Sequence, residues 1–218
     1  MSIHSVCFLP YIFYGRCAMS AKAAQKKERQ EKILEAAIKA FSMHGYHNST
    51  VATIARQAGI ADGTMYLYFK GKEDLLISAF TFIIEGFLEK LEAKLGEAKN
   101  PLDKLKVIVI YHLTELSGDP DRAKFLQLEL RQPAESVRQG IAKPLSLYMR
   151  KIDALLEEGK EAKLIRKDLP TKVIRRVIFG SVDETISSWI RRKDAAPIDK
   201  EAEAVFEVLL GGMATKNR

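Results

Sequence analysis

Apolar residues recur every three or four positions from Lys26 to the C-terminal end, and no useful stretch alternates apolar with polar residues. That spacing gathers the apolar side chains on one face of successive helices and leaves none of the period-two patterning of a half-buried strand. The fold class is therefore all-α. With 218 residues the chain can bury a core without covalent staples or metal. Its two cysteines, Cys7 and Cys17, fall in the first eighteen residues, which argues against redox chemistry and cysteine-ligated zinc in the body. The opening stretch around Val6 to Tyr14 is apolar, but it lacks a basic leader and is interrupted by Pro10, so it makes a poor secretion signal. Translation is expected to start at Met19, with 1–19 an extension outside the folded part. No apolar run reaches membrane-spanning length, and no membrane partner is expected.

The helices are punctuated by glycine, proline and capping residues. The first runs from about Lys26 to His44, with Ile33, Leu34, Ala37, Ile38 and Phe41 on one face and Gly45 closing it. Asn48-Ser49-Thr50 then caps a short helix carrying Val51, Ile54, Ala55 and Ala58, which Gly59 ends. A second short helix spans about Asp62 to Phe69. A long one follows from Lys72, with Gly71 as N-cap, to about Leu95. Further helices are expected near Pro101–Ser117, Pro120–Arg131, Glu135–Lys160, Pro170–Arg192 and Lys200–Met213.

Charge is concentrated at the front. Between Ser20 and Lys72 there are nine basic residues against four acidic, whereas from Glu73 onward the balance is 25 against 24. Two short helices joined by a tight glycine turn in a basic segment are what a helix-turn-helix needs to meet a polyanion and lay its second helix in the major groove. Residues 20–72 are read as this DNA-binding domain, and 73–218 as a helical effector-binding and dimerisation domain. At 100° per residue, Met65 and Phe69 fall on the buried side of the second helix. Gly63, Thr64 and Leu67 then face outward, with Tyr66 and Tyr68 on the flanks. Leu67 suits a thymine methyl, and the tyrosine hydroxyls suit phosphates. Thr50, Thr53 and Lys72 are expected along the backbone, Lys72 through a phosphate contact. Asp62 either caps the helix or accepts from a cytosine amino group.

Thr53-Ile54-Ala55-Arg56-Gln57-Ala58-Gly59-Ile60, Gly63-Thr64-Met65-Tyr66-Leu67-Tyr68-Phe69 and Lys72-Glu73-Asp74-Leu75-Leu76 closely resemble the DNA-binding signature of the TetR family. The resemblance implies a cytoplasmic repressor that binds palindromic double-stranded operator DNA as a homodimer, through a four-helix bundle of its last two helices. Ala61, Asp62 and Leu67 depart from the general pattern. Ala61-Asp62-Gly63-Thr64, Leu126–Gln132 and Ile178–Thr185 are instead similar to the Gram-positive branch that controls fatty-acid degradation. That likeness implies long-chain acyl-coenzyme A as the effector, with no cofactor.

In the body, the small residues Gly180, Ser181, Ser187 and Ser188 form a stripe with Val173 and Glu184, read as the dimer face. Ile178, Val182, Ile186 and Trp189 lie on another arc, where with Phe87, Phe125 and Leu128 they would either line an acyl tunnel or simply pack a core. Arg131 and Arg175 would bind a coenzyme A phosphate or form internal ion pairs, for instance with Glu129 or Asp183. A competing reading, a repressor of efflux genes released by lipophilic cations, rests on Glu129 and Glu184. An enzyme is not expected. His4, His44, His47 and His112 form no metal-ligand spacing, and no nucleophile motif or phosphate-cradling loop is present.

Overall fold

The computed structural model describes residues 21–192 and 198–215. The expectations for residues 1–19 lie outside the described residues. The described chain is helical in the order α1 (Ala21–Asn48), α2 (Val51–Gln57), α3 (Asp62–Met65), α4 (Lys72–Leu95), α5 (Pro101–Ser117), α6 (Pro120–Glu129), α7 (Glu135–Glu161), α8 (Thr171–Arg191) and α9 (Asp199–Met213). None of these helices is long and apolar enough to cross a membrane.

Local chemistry sets the boundaries. Gly45 sits at φ 73°, a left-handed conformation open to glycine, and breaks α1 before its last turn. Thr50 caps α2 by accepting the Thr53 N–H at 3.1 Å, and Gly59 at φ 69° turns the chain toward α3. The capping expected of Asp62 is not found. Ala61 occupies the N-cap, makes no side-chain bond there, and leaves Asp62 as the first helical residue. The α3 helix is also shorter than the sequence pattern suggests, because Leu67 N–H bonds the Thr64 carbonyl three residues back and tightens the turn. At the head of α4, the Asp74 carboxylate accepts the Lys70 N–H at 2.8 Å. Asn100 and Asp119 cap α5 and α6, each ahead of a proline whose fixed φ suits a first turn. The α6 helix stops at Glu129, two residues short of the expected Arg131.

The helices enclose two apolar cores. The head core is built from α1, α2, α3 and the first half of α4, around Phe41, Ile54, Met65, Phe69 and Phe80. It is completed from the body by Phe125 of α6 and by Val137 and Ile141 of α7. The body core joins α4, α5, α7, α8 and α9 around Leu91, Leu105, Ile152, Ile178, Ile186 and Phe206. The α7 helix passes α4 on bare backbone at Gly140, where an added Cβ would lie 2.4 Å from Ile77 Cδ1. The α9 end is fastened by an antiparallel bridge between Ile165 and Ala214.

Candidate DNA-reading face and effector cavity

The α3 segment divides its side chains as amphipathic spacing requires. Met65 and Phe69 are buried in the head core, while Tyr66 and Leu67 are 62% and 75% exposed. Two large side chains held in solvent beside exposed Asp62 and Gly63 form a surface fit for a partner. Tyr68 is half-buried and packs against the head core, so its ring is partly structural. Thr64 and Thr53 are half-buried, and the Thr53 hydroxyl lies 2.9 Å from that of Thr50.

Lys72, expected at a phosphate, is held by the protein's own backbone. Its Nζ donates to the carbonyls of Tyr46 at 2.9 Å, Ser49 at 3.1 Å and His47 at 3.4 Å, and lies 4.4 Å from the Tyr46 ring centroid. An ammonium has three N–H groups, and here three carbonyls at and just beyond the end of α1 receive them. Lys72 is a tie between α4 and the C-terminal end of α1.

A small cavity of about 50 Å³ opens between the two cores. The α4 helix supplies Phe80, Ile83, Ile84 and Phe87, α6 supplies Leu126, its C-cap Leu130 follows, and Leu116, Leu145 and Phe179 come from α5, α7 and α8. Its polar lining consists of His112, Tyr148, Gln127 and Asp183. His112 Nδ1 lies 2.8 Å from the Tyr148 hydroxyl, and the Phe87 ring stands edge-on to both. Burial pushes the His112 pKa down to about 4, against a smaller upward pull from Asp183, so the ring is neutral. At one edge, Asp183 accepts from Gln127 Nε2 at 2.9 Å and from Arg131 at 2.7 Å. Gln127 Oε1 accepts from Arg131 at 2.8 Å and from Ser187 at 2.6 Å. These bonds join α6 to α8. On its other side α6 is joined to α1: Phe125 stacks on Phe41 at 6.0 Å, Ser42 donates to Asp121 at 2.8 Å, and Arg122 pairs with Glu35 at 2.5 Å.

Known proteins share this fold. Residues 33–79 match the family described as bacterial regulatory proteins, tetR family, and residues 80–212 match the YsiA-like protein, C-terminal region. The chain belongs to the TetR family of transcriptional regulators. It is 38% identical over 192 residues to the fatty acid metabolism regulator protein of Bacillus subtilis, covering 88% of this chain and 99% of that one. The structure of FadR from Bacillus halodurans superposes with a TM-score of 0.80 at 38% identity, over 84% of this chain and 95% of that one. FadR from Bacillus subtilis in complex with stearoyl-CoA does so equally, over 84% and 98%. The family and these relatives are regulators, not enzymes.

Within this TetR-family fold, Phe87 of the expected effector residues lines the cavity. Phe125 does not, because it faces the opposite side of α6 and belongs to the head core. Leu128 is 51% exposed and points away. Ile178, Val182, Ile186 and Trp189 are buried in the body core rather than the cavity wall. The reason is rotational. Taking Val177 as zero, their arc is about 100° to 180°, whereas Phe179, Asp183 and Ser187 follow at about 200° to 280° and turn toward α6 and the cavity. Ser187 accordingly leaves the expected dimer stripe, while Val173, Val177 and Gly180 remain exposed. Both arginines form internal pairs, Arg131 with Asp183 and Arg175 with Asp153 at 2.6 Å. Sequence reasoning missed His112, Tyr148 and Phe179. Their signal was a histidine set among apolar residues in a helix interior.

Proposed function

We propose that this regulator is a repressor that binds palindromic operator DNA as a homodimer and is released by a long-chain acyl-coenzyme A, controlling genes of fatty-acid degradation. The observation that carries the effector reading is the apolar cavity running along α4 from Phe80 to Phe87, closed at one edge by the polar cluster around Asp183. A hydrocarbon chain is the ligand such a wall suits, and a relative 38% identical is described in complex with stearoyl-CoA. The one carboxylate in the lining, Asp183, is already held by Arg131 and Gln127, and the two on which the lipophilic-cation reading rests lie outside it. Glu129 is buried among head contacts, accepting from Gln132 at 2.5 Å, and Glu184 is exposed and paired with Arg191.

The division of labour follows residues 20–72 for DNA and 73–218 for effector and dimerisation. Leu67, Gly63, Thr64 and Asp62 read base edges, while Tyr66, Tyr68, Thr50 and Thr53 meet the backbone. The exposed apolar residues of α8 and α9, Val173, Val177 and Val208, form the dimer face. Ligand between α4 and α6 displaces α4 and changes the separation of the two recognition helices, which must match about 34 Å of DNA. Equal separations in ligand-bound and DNA-bound crystals would rule this mechanism out.

The test is fluorescence anisotropy on an operator selected from random DNA, with palmitoyl-coenzyme A, palmitate and a cationic dye as competitors. Release by the thioester supports the reading. Release by the dye alone, or failure to select any DNA, overturns it.

A further inference from the structure

The cavity wall is hydrocarbon except where His112, Tyr148, Gln127 and Asp183 reach it. Gln127 and Asp183 satisfy one another together with Arg131 and Ser187. The His112–Tyr148 pair has a donor left over. A neutral imidazole and a phenol carry two donor hydrogens between them, and their single mutual bond uses one. The phenol is the stronger donor and the imidazole nitrogen the stronger acceptor, so Tyr148 O–H donates to Nδ1 and the second hydrogen resides on Nε2. That atom has no partner among the described residues. His112 lines the cavity and its Nε2 is not among the side-chain atoms sealed away from it, so a ligand that brings an acceptor to that N–H gains a hydrogen bond.

Charge decides which acceptor is admitted. No lysine or arginine lines the cavity among the described residues, and Arg131 at its edge already holds Asp183. An incoming carboxylate would have to share that guanidinium with Asp183, setting two negative charges against one positive in a poorly screened site. An uncharged carbonyl meets no such opposition.

Resting on the effector reading above, we propose that His112 sets the specificity of this cavity, donating from Nε2–H to the carbonyl oxygen of an uncharged acyl group while Asp183 excludes the free carboxylate. Tyr148 is the positioning residue that fixes the tautomer.

Calorimetry on the full-length protein with palmitoyl-coenzyme A and S-hexadecyl-coenzyme A tests this, since the thioether keeps chain and head group but lacks the carbonyl oxygen. The wild type is expected to bind the thioether about tenfold more weakly, the value of one hydrogen bond in a dry site. His112→Phe is expected to lower thioester affinity by about the same factor and abolish the difference, and His112→Gln, which keeps an N–H, to recover most of it. Asp183→Asn is expected to raise the affinity for palmitate relative to that for palmitoyl-coenzyme A by at least about tenfold; an unchanged ratio would overturn the role given to Asp183. Equal wild-type affinities for thioester and thioether would overturn the His112 assignment and leave the effector reading intact. Binding of neither would overturn the effector reading and this assignment with it.

Discussion

The head and the body are both packed from amphipathic helices, yet they use their interiors differently. The head core is hydrocarbon from Ile33 to Phe80, and its buried polar groups sit at its edges: Ser42 bonded to Asp121, Ser49 to the Gly45 carbonyl, and the Glu129 carboxylate accepting from Gln132. The body interior instead carries a histidine, a tyrosine and a hydrogen-bonded carboxylate beside an open cavity. A filled apolar core resists deformation, whereas a cavity edged by polar groups can be filled, bonded and shifted. A reading head must present α3 in one geometry, and a sensing body must have two. The two meet at α6, where Phe125 enters the head core and the neighbouring Leu126 lines the cavity.

The comparison breaks first at Phe125. If the head were self-contained, Phe125→Ala would disturb only the body. The structure expects a loss of about 3–5 kcal/mol in denaturant unfolding, with operator affinity falling although residue 125 touches neither DNA nor ligand. The next test concerns the polar interior. His112 has its pKa depressed by burial to about 4, so between about pH 6.5 and 4 the unfolded chain binds a proton that the folded chain does not. Stability attributable to this residue is full above about pH 6.5 and lost on acidification toward 4, to a total of about 3 kcal/mol. Urea titrations across that range are expected to show this limb in the wild type and a flatter curve in His112→Phe; parallel curves would mean the ring titrates freely.

Lys72 sharpens the contrast within the head. Lys72→Met is expected to cost about 2 kcal/mol by stranding the carbonyls of Tyr46, His47 and Ser49, and to leave the salt dependence of operator binding unchanged. A salt slope reduced by about one phosphate would restore the contact expected from the sequence. The smallest effect belongs to the surface. Leu67→Ala removes an exposed side chain, so unfolding should shift by less than about 0.5 kcal/mol. Discrimination at one base pair should fall by about 1 kcal/mol, read by competition between single-base operator variants.

How much of this was legible beforehand follows the same division. The head was readable because local rules decide it: Gly45, Thr50, Gly59 and the Met65–Phe69 spacing act within a few residues of where they stand. Asp62 escaped because the chain enters α3 one residue earlier than its capping preference implies. The cavity was not readable from periodicity. Angle arithmetic on α8 finds an apolar arc, but it cannot say that the core takes 100° to 180° and the cavity the next 80°, since that depends on where α6 lies. The tie made by Lys72 was hidden for a related reason: a lysine in a basic segment suggests phosphate, and the carbonyls that hold it come from residues 23 to 26 positions earlier in the chain.

The bare backbone of α7 at Gly140 has a genetic consequence. Any side chain there must displace the Ile77 side chain, which sits on the long helix α4. If inducer acts by shifting α4 as proposed, a methyl group at position 140 would push on that helix in the inducer's absence. Colonies carrying Gly140→Ala beside an operator-driven reporter are expected to be switched on without any fatty acid in the medium, and they would mark a class of constitutive mutants that fold normally and contact neither DNA nor ligand.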